Sequence, residues 1–193
     1  MSNVRFVATE TGIRLLRSTY RSFAASGSTG VRRVGRISQT VLGSSDPRDL
    51  VVHSGFLRLV SITEAAVDAL AVELTAQSVP QIDEVVRRLM LEKELSATGT
   101  WRARRSAYKR HHNIDLGKCA EFKRLEGAIE VRNAIAHGLG KLTTRQVHSR
   151  ETAPKLGQIN VNVVNGFVAL GPNHVEECAS YCREFLLSLD ASA

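Results

Sequence analysis

The sequence predicts a mainly α fold, an antiparallel up-and-down helical bundle with one short β-hairpin before the C-terminal helix. Three observations carry that prediction. Apolar residues recur every three or four positions through most of the chain, and the recurrences stop at Gly, Pro and Ser clusters. The breaks between them are mostly too short for anything but neighbouring antiparallel helices. Only residues 159–170 alternate with a period of two, around an Asn165-Gly166 turn signal. At 193 residues, 43% hydrophobic and 23% charged, the chain can bury one sizeable core.

Residues 1–45 are read as an N-terminal helical extension and residues 46–193 as the bundle proper. In the extension Ile13, Leu16, Tyr20 and Phe23 mark one helical pattern, and Val31, Val34, Ile37 and Val41 a second, with a Ser/Gly-rich break at residues 26–30. Its role stays open among packing on the bundle, extending a dimer interface and supplying arginines to RNA, although an arginine row on a helix is more often a solvated face.

Asp46, Pro47 and Asp49 form a strong helix start, with Asp46 able to cap and Pro47 at the first helical position. A long helix is expected to about residue 78, its inner face made by Val52, Phe56, Leu59, Val60, Ala66, Leu70 and Leu74. Ile82, Val85, Val86, Leu89, Met90 and Leu95 predict an antiparallel partner after the Val79-Pro80 break. Residues 101–112 interleave Trp101 and Tyr108 with Arg102, Arg104, Arg105, Lys109, Arg110 and His111. The two aromatics, seven residues apart, suit packing inward, and the basic residues are candidate RNA contacts or simply solvated.

Residues 143–157 read as a polar loop. Ile159, Val161 and Val163 alternate with Asn160 and Asn162, and Val168 and Leu170 return opposite Val163 and Val161, so the hairpin has one apolar face to lay on the bundle. The last helix opens at residues 172–176, where Asn173 and Glu176 have the spacing of a capping box. Val175, Cys178, Cys182, Phe185, Leu186 and Leu189 then form one apolar stripe. His174, Cys178 and Cys182 share a helix face, but core packing is the better account of the two cysteines. Three cysteines cannot form a closed disulfide framework, and none has the Cys-x-x-Cys spacing of a zinc or redox site. No metal or cofactor is expected.

The net charge of +7 is uneven: residues 1–45 hold seven Arg against Glu10, and residues 99–150 hold twelve basic against four acidic residues. Such asymmetry suggests a polyanionic partner, RNA before membrane. Charges interrupt the apolar stretches short of a membrane span, and Arg5, Arg14, Arg17 and Arg21 punctuate the start of the chain where a secretion signal would be apolar. A soluble, cytoplasmic protein is the expectation.

The stretch with more chemistry than a core requires is residues 125–141. Phe122, Leu125, Ile129 and Ala136 recur at helical spacing and predict a buried stripe, with Gly138 and Gly140 closing the helix. His137 then sits on the last turn, beside the negative end of the helix dipole, which suits a proton-transfer group. Asn133, four residues earlier, can hydrogen-bond the ring, and Arg132 can reach the same spot. A purely structural role remains open, with Asn133 and His137 capping the helix and Arg132 paired to Glu126 or Glu130.

The Arg132-Asn133-x-x-x-His137 string resembles the signature of the HEPN superfamily, small helical proteins whose Arg-x(4 to 6)-His motif forms a metal-independent ribonuclease site. The likeness extends over roughly residues 46–189, with the Trp101 basic helix upstream and the glycines, hairpin and final helix downstream, and within the superfamily it looks most like the RiboL-PSP-type group. The resemblance implies Arg132, Asn133 and His137 as catalytic residues and a homodimer whose two Arg-His sets share one cleft. It also implies a role as toxin or phage-defence nuclease, or a silent module that binds RNA, nucleotide or a nucleotidyltransferase antitoxin. Members silenced by AMP transfer carry a Tyr two residues after the His; here that position is Leu139.

Overall fold

Helix α2, Pro47–Ser78, is the surface on which four other described helices are assembled. The computed structural model describes residues 4–28, 39–40, 43–44, 46–78, 88 and 99–193. Asp46 Oδ1 accepts the Arg48 backbone N–H at 2.9 Å with Pro47 at the first helical position, as the sequence predicts. All seven of the inner-face residues expected of this helix are buried, together with Val67 and Thr63. By length and hydropathy Pro47–Gln77 would also pass for a membrane-crossing helix, contrary to the expectation that charges break every apolar stretch, since residues 50–67 carry only Arg58 and Glu64. In this fold part of that apolarity goes into the core, while Leu50 and Val72 stay exposed.

Helix α1, Val7–Ser28, packs along α2 and along the last helix, so its first role is part of the bundle. Its N-terminal amides, which no intrahelical carbonyl satisfies, are taken by two distant carboxylates. Asp190 accepts from Arg5 N at 2.9 Å and Phe6 N at 3.2 Å, and Glu73 accepts from Val7 N at 3.1 Å and Ala8 N at 2.8 Å. Negative charge at this helix end also complements the dipole.

Strands β1, Gln39–Thr40, and β2, Gly43–Ser44, pair antiparallel with Gln39 opposite Ser44. This corrects the end of the second helical pattern: β-branched Thr40 and the helix-averse Gly43 suit extended backbone. The rest of that pattern, and the expected helix at residues 82–95 apart from Arg88, lie outside the described residues.

Helix α3, Trp101–His111, starts at Thr100, whose hydroxyl accepts from Ala103 N at 3.1 Å. Trp101 and Tyr108 do pack inward: the indole meets Phe122 and Phe185 edge-on, and the Tyr108 hydroxyl donates to the Val67 carbonyl at 2.6 Å. A 3₁₀ turn at Leu116–Lys118 leads into α4, Phe122–Gly138.

The segment expected to be a polar loop contains two short helices, α5 at Thr144–His148 and α6 at Thr152–Gly157. Helices of five and six residues are too short to show a hydrophobic period. α6 approaches α4 so closely that a Cβ on Gly127 would stand 2.4 Å from the Lys155 carbonyl oxygen. Only glycine permits this contact.

Strands β3, Asn162–Val164, and β4, Phe167–Ala169, form the expected hairpin, with Val163 opposite Val168 and positive φ at Asn165 and Gly166. Ile159, Val161 and Val168 are its buried residues; Val163 is 41% exposed, against expectation. Helix α7, Pro172–Ser192, buries the predicted stripe of Val175, Cys178, Cys182, Phe185, Leu186 and Leu189. Its start is not the Asn173/Glu176 capping box: His174 Nδ1 accepts the Gly171 N–H at 2.9 Å instead, because the helix begins two residues earlier than that box requires.

Candidate functional site

Helix α4 is apolar on the side facing α2 and α7, where Leu125, Ala128, Val131 and Ala134 are fully buried. That register corrects the predicted stripe. Ile129 is only half-buried and Ala136 is exposed, because α4 is packed on more than one side and its apolar residues do not define a single face. The residues at positions 126, 130, 133 and 137, three or four apart, together with Ile129, instead form a second stripe that lines an open cleft of about 860 Å³.

The helix stops at a left-handed residue, but that residue is Leu139, with φ 52°, followed by Gly140 at φ 94°. Leu139 N–H donates to the Ile135 carbonyl and Gly140 N–H to the Ala134 carbonyl, both at 3.1 Å. This turn leaves His137 exposed on the last helical turn, on the cleft wall.

Arg132, Asn133 and His137 all line the cleft. Asn133 does not orient the imidazole as expected: its Oδ1 accepts from Arg132 Nη1 at 3.2 Å, and the His137 ring has no hydrogen bond to a described residue. Nor does Arg132 pair with Glu126 or Glu130. Its Nη2 faces Glu64 Oε2 of α2 at 3.9 Å, while Glu64 Oε1 accepts the Trp101 indole N–H at 2.9 Å and lies 3.9 Å from Arg104 Nη1. Glu126 is left to Arg105 at 3.8 Å. Glu130 is held by Gln146 at 2.9 Å and Lys155 at 3.6 Å.

The five basic residues of α3 expected to meet RNA separate into distinct groups. Arg102 is exposed and lines the cleft. Arg104 is buried and gives a two-pronged bond to Asp68, 2.7 Å and 2.8 Å, while its guanidinium lies over the Trp101 ring. Burial alone would lower its pKa, but the Asp68 hydrogen bonds and charge outweigh that and raise it, so Arg104 is a fixed structural cation. It lines the cleft as well, but from this paired and buried position. Arg105 lines the cleft while leaning over Phe122 and toward Glu126. Lys109 and Arg110 are exposed further along α3 and do not line the cleft; Lys109 reaches Asn113 at 3.5 Å.

Three groups of this site went unread in the sequence. Glu64 lies 68 residues before Arg132 with nothing local to announce it. Gln146 and Thr143 do have the spacing of a capping box, and both reciprocal bonds form. Gln146 Nε2 also donates to the Glu130 carbonyl at 2.7 Å, which docks α5 onto α4. Arg145, next to it, completes that wall of the cleft. Compared with known proteins, the chain matches no family model, no curated protein and no solved structure.

Proposed function

We propose that the chain is a metal-independent endoribonuclease of HEPN type, acting in the cytoplasm as a toxin or phage-defence component. The observation that supports this is the common cleft: a guanidinium restrained by Asn133 and Glu64 and a solvent-accessible imidazole line the same cavity. In the proposed reaction the 2′-hydroxyl attacks the adjacent phosphorus, the P–O5′ bond breaks, and the products carry a cyclic phosphate and a free 5′-hydroxyl. A base takes the 2′-hydroxyl proton and an acid gives one to the leaving oxygen. His137 suits proton transfer, and Arg132 suits the charge that builds on the phosphorane, where a guanidinium can bind two oxygens at once.

One imidazole does not serve as base and acid in a single step, so the reading includes a symmetric dimer in which two such clefts meet. A second reading is a silent module that binds RNA, nucleotide or a nucleotidyltransferase partner. It draws support from the His137 ring, which no described side chain holds by a hydrogen bond.

The test is purified protein with labelled RNA in excess EDTA. Cleavage that leaves cyclic phosphate ends, and that His137→Ala abolishes without loss of RNA binding, is the expected result. Activity that survives His137→Ala, or that needs added magnesium, would overturn the assignment.

A further inference from the structure

We propose that Arg102 and Arg145 hold the phosphates flanking the scissile one, so that the cleft takes a run of at least three consecutive phosphates of single-stranded RNA. The inference rests on the reading of this cleft as an RNA site. It begins from the way the charges are paired. Each carboxylate lining the cleft already has a partner: Glu64 holds Trp101 and faces Arg104 and Arg132, Glu126 faces Arg105, Glu130 holds Gln146 and Lys155, and Glu151 meets Lys155 at 3.0 Å. These contacts partly neutralise Arg104, Arg105, Arg132 and Lys155 and hold them in place. They leave Arg102 and Arg145, which line the cleft, are exposed, and form no ion pair with a described residue.

The two arginines stand on different walls, and both walls are fixed. Arg102 lies on the first turn of α3, whose start Thr100 caps, and Arg145 adjoins Gln146, which docks α5 onto the Glu130 carbonyl at 2.7 Å. Arg132 comes from a third element, α4. Guanidinium groups from three separate elements suit successive phosphates of an extended strand better than the single phosphate of a mononucleotide. At about 860 Å³ the cleft is also near the upper end of the size range of small-molecule sites, roughly 300–1,000 Å³, with room beyond one nucleotide.

The experiment measures binding of 2′-O-methyl RNA, which lacks the attacking hydroxyl and stays uncut, as a dinucleotide with one phosphate and as a tetranucleotide with three. The wild-type protein should bind the tetranucleotide more tightly. Arg102→Gln and Arg145→Gln should each bring its affinity toward that of the dinucleotide, leave dinucleotide binding and thermal stability unchanged, and shallow the salt slope by about 0.7 per arginine. Equal affinity of wild type for both lengths, tetranucleotide binding unchanged in both variants, or an equal loss for the dinucleotide would overturn the proposal. Cleavage of unmodified RNA is scored separately. Length-dependent binding without any cleavage removes the ribonuclease reading and keeps the phosphate grip; cleavage with variants that bind like wild type removes the grip alone.

Discussion

Glu64 Oε2 stands 3.9 Å from Arg132 Nη2 while its other oxygen accepts the Trp101 indole N–H at 2.9 Å. One carboxylate therefore ties the candidate catalytic arginine to the packed interior, because Trp101 itself sits against Phe122 and Phe185. Arg132 is restrained on its other side by Asn133.

Glu64→Gln keeps an oxygen for the indole but removes the charge facing Arg132. Cleavage kinetics should show kcat falling roughly ten- to hundredfold, the scale of a misplaced group, with KM little changed. Asn133→Ala should act in the same direction, since its amide restrains the same guanidinium. An unchanged kcat in both variants would mean that these contacts do not position Arg132 for chemistry.

Arg104 and Arg102 should part company when each is replaced by Ala. Removing Arg104 strands Asp68 and Glu64 without their shared cation, at a cost of roughly 2–3 kcal/mol for a partly buried pair. Urea unfolding should show that loss for Arg104→Ala and almost none for Arg102→Ala. Comparable stability of the two variants would contradict the structural role of Arg104.

Leu139 occupies the left-handed region at φ 52° while 64% exposed, so it carries backbone strain with little packing in return. Leu139→Gly should raise stability by about 1 kcal/mol, read as a higher melting temperature. A lower melting temperature would show that the Leu139 side chain contributes contacts that outweigh the strain.

His53 of α2 lies beneath Gly140, where an added Cβ would come within 3.0 Å of the ring. Desolvation lowers its pKa, with Asp49 opposing in part. The unfolded chain therefore binds this proton more readily than the folded one. The resulting stability is fully present above the unfolded value, about 6.5, and is lost as pH falls through the lower folded value. Melting temperature should drop more between pH 7 and pH 5 in wild type than in His53→Gln, and equal drops would remove His53 as the cause.

How far the fold could be read depends on whether a feature is local. The cap at Asp46, the inner face of α2, the Asn165-Gly166 turn and the α7 stripe each follow from residues a few positions apart, and all are found. The capping box of α5 was equally local but hidden in a polar stretch with no period. What stayed illegible is tertiary. Which side of α4 faces the core depends on α6 pressing against Gly127, and whether Arg104 meets solvent or Asp68 depends on how α3 crosses α2. The candidate site follows the same division: Arg132, Asn133 and His137 are adjacent enough to be noticed together, whereas Glu64 reaches them only through the fold.

The capture of the first amides of α1 by Asp190 also bears on how the protein is made. The two ends of that contact are 185 residues apart. At ordinary rates of synthesis, roughly ten to forty seconds separate the appearance of Arg5 from that of Asp190. Throughout that interval α1 has neither its α7 neighbour nor the Asp190 carboxylate, and α2 has no α7 to cover its apolar side. The nascent chain thus lacks a finished bundle until α7 has emerged, and the cleft built on that bundle is assembled only after that helix has joined it.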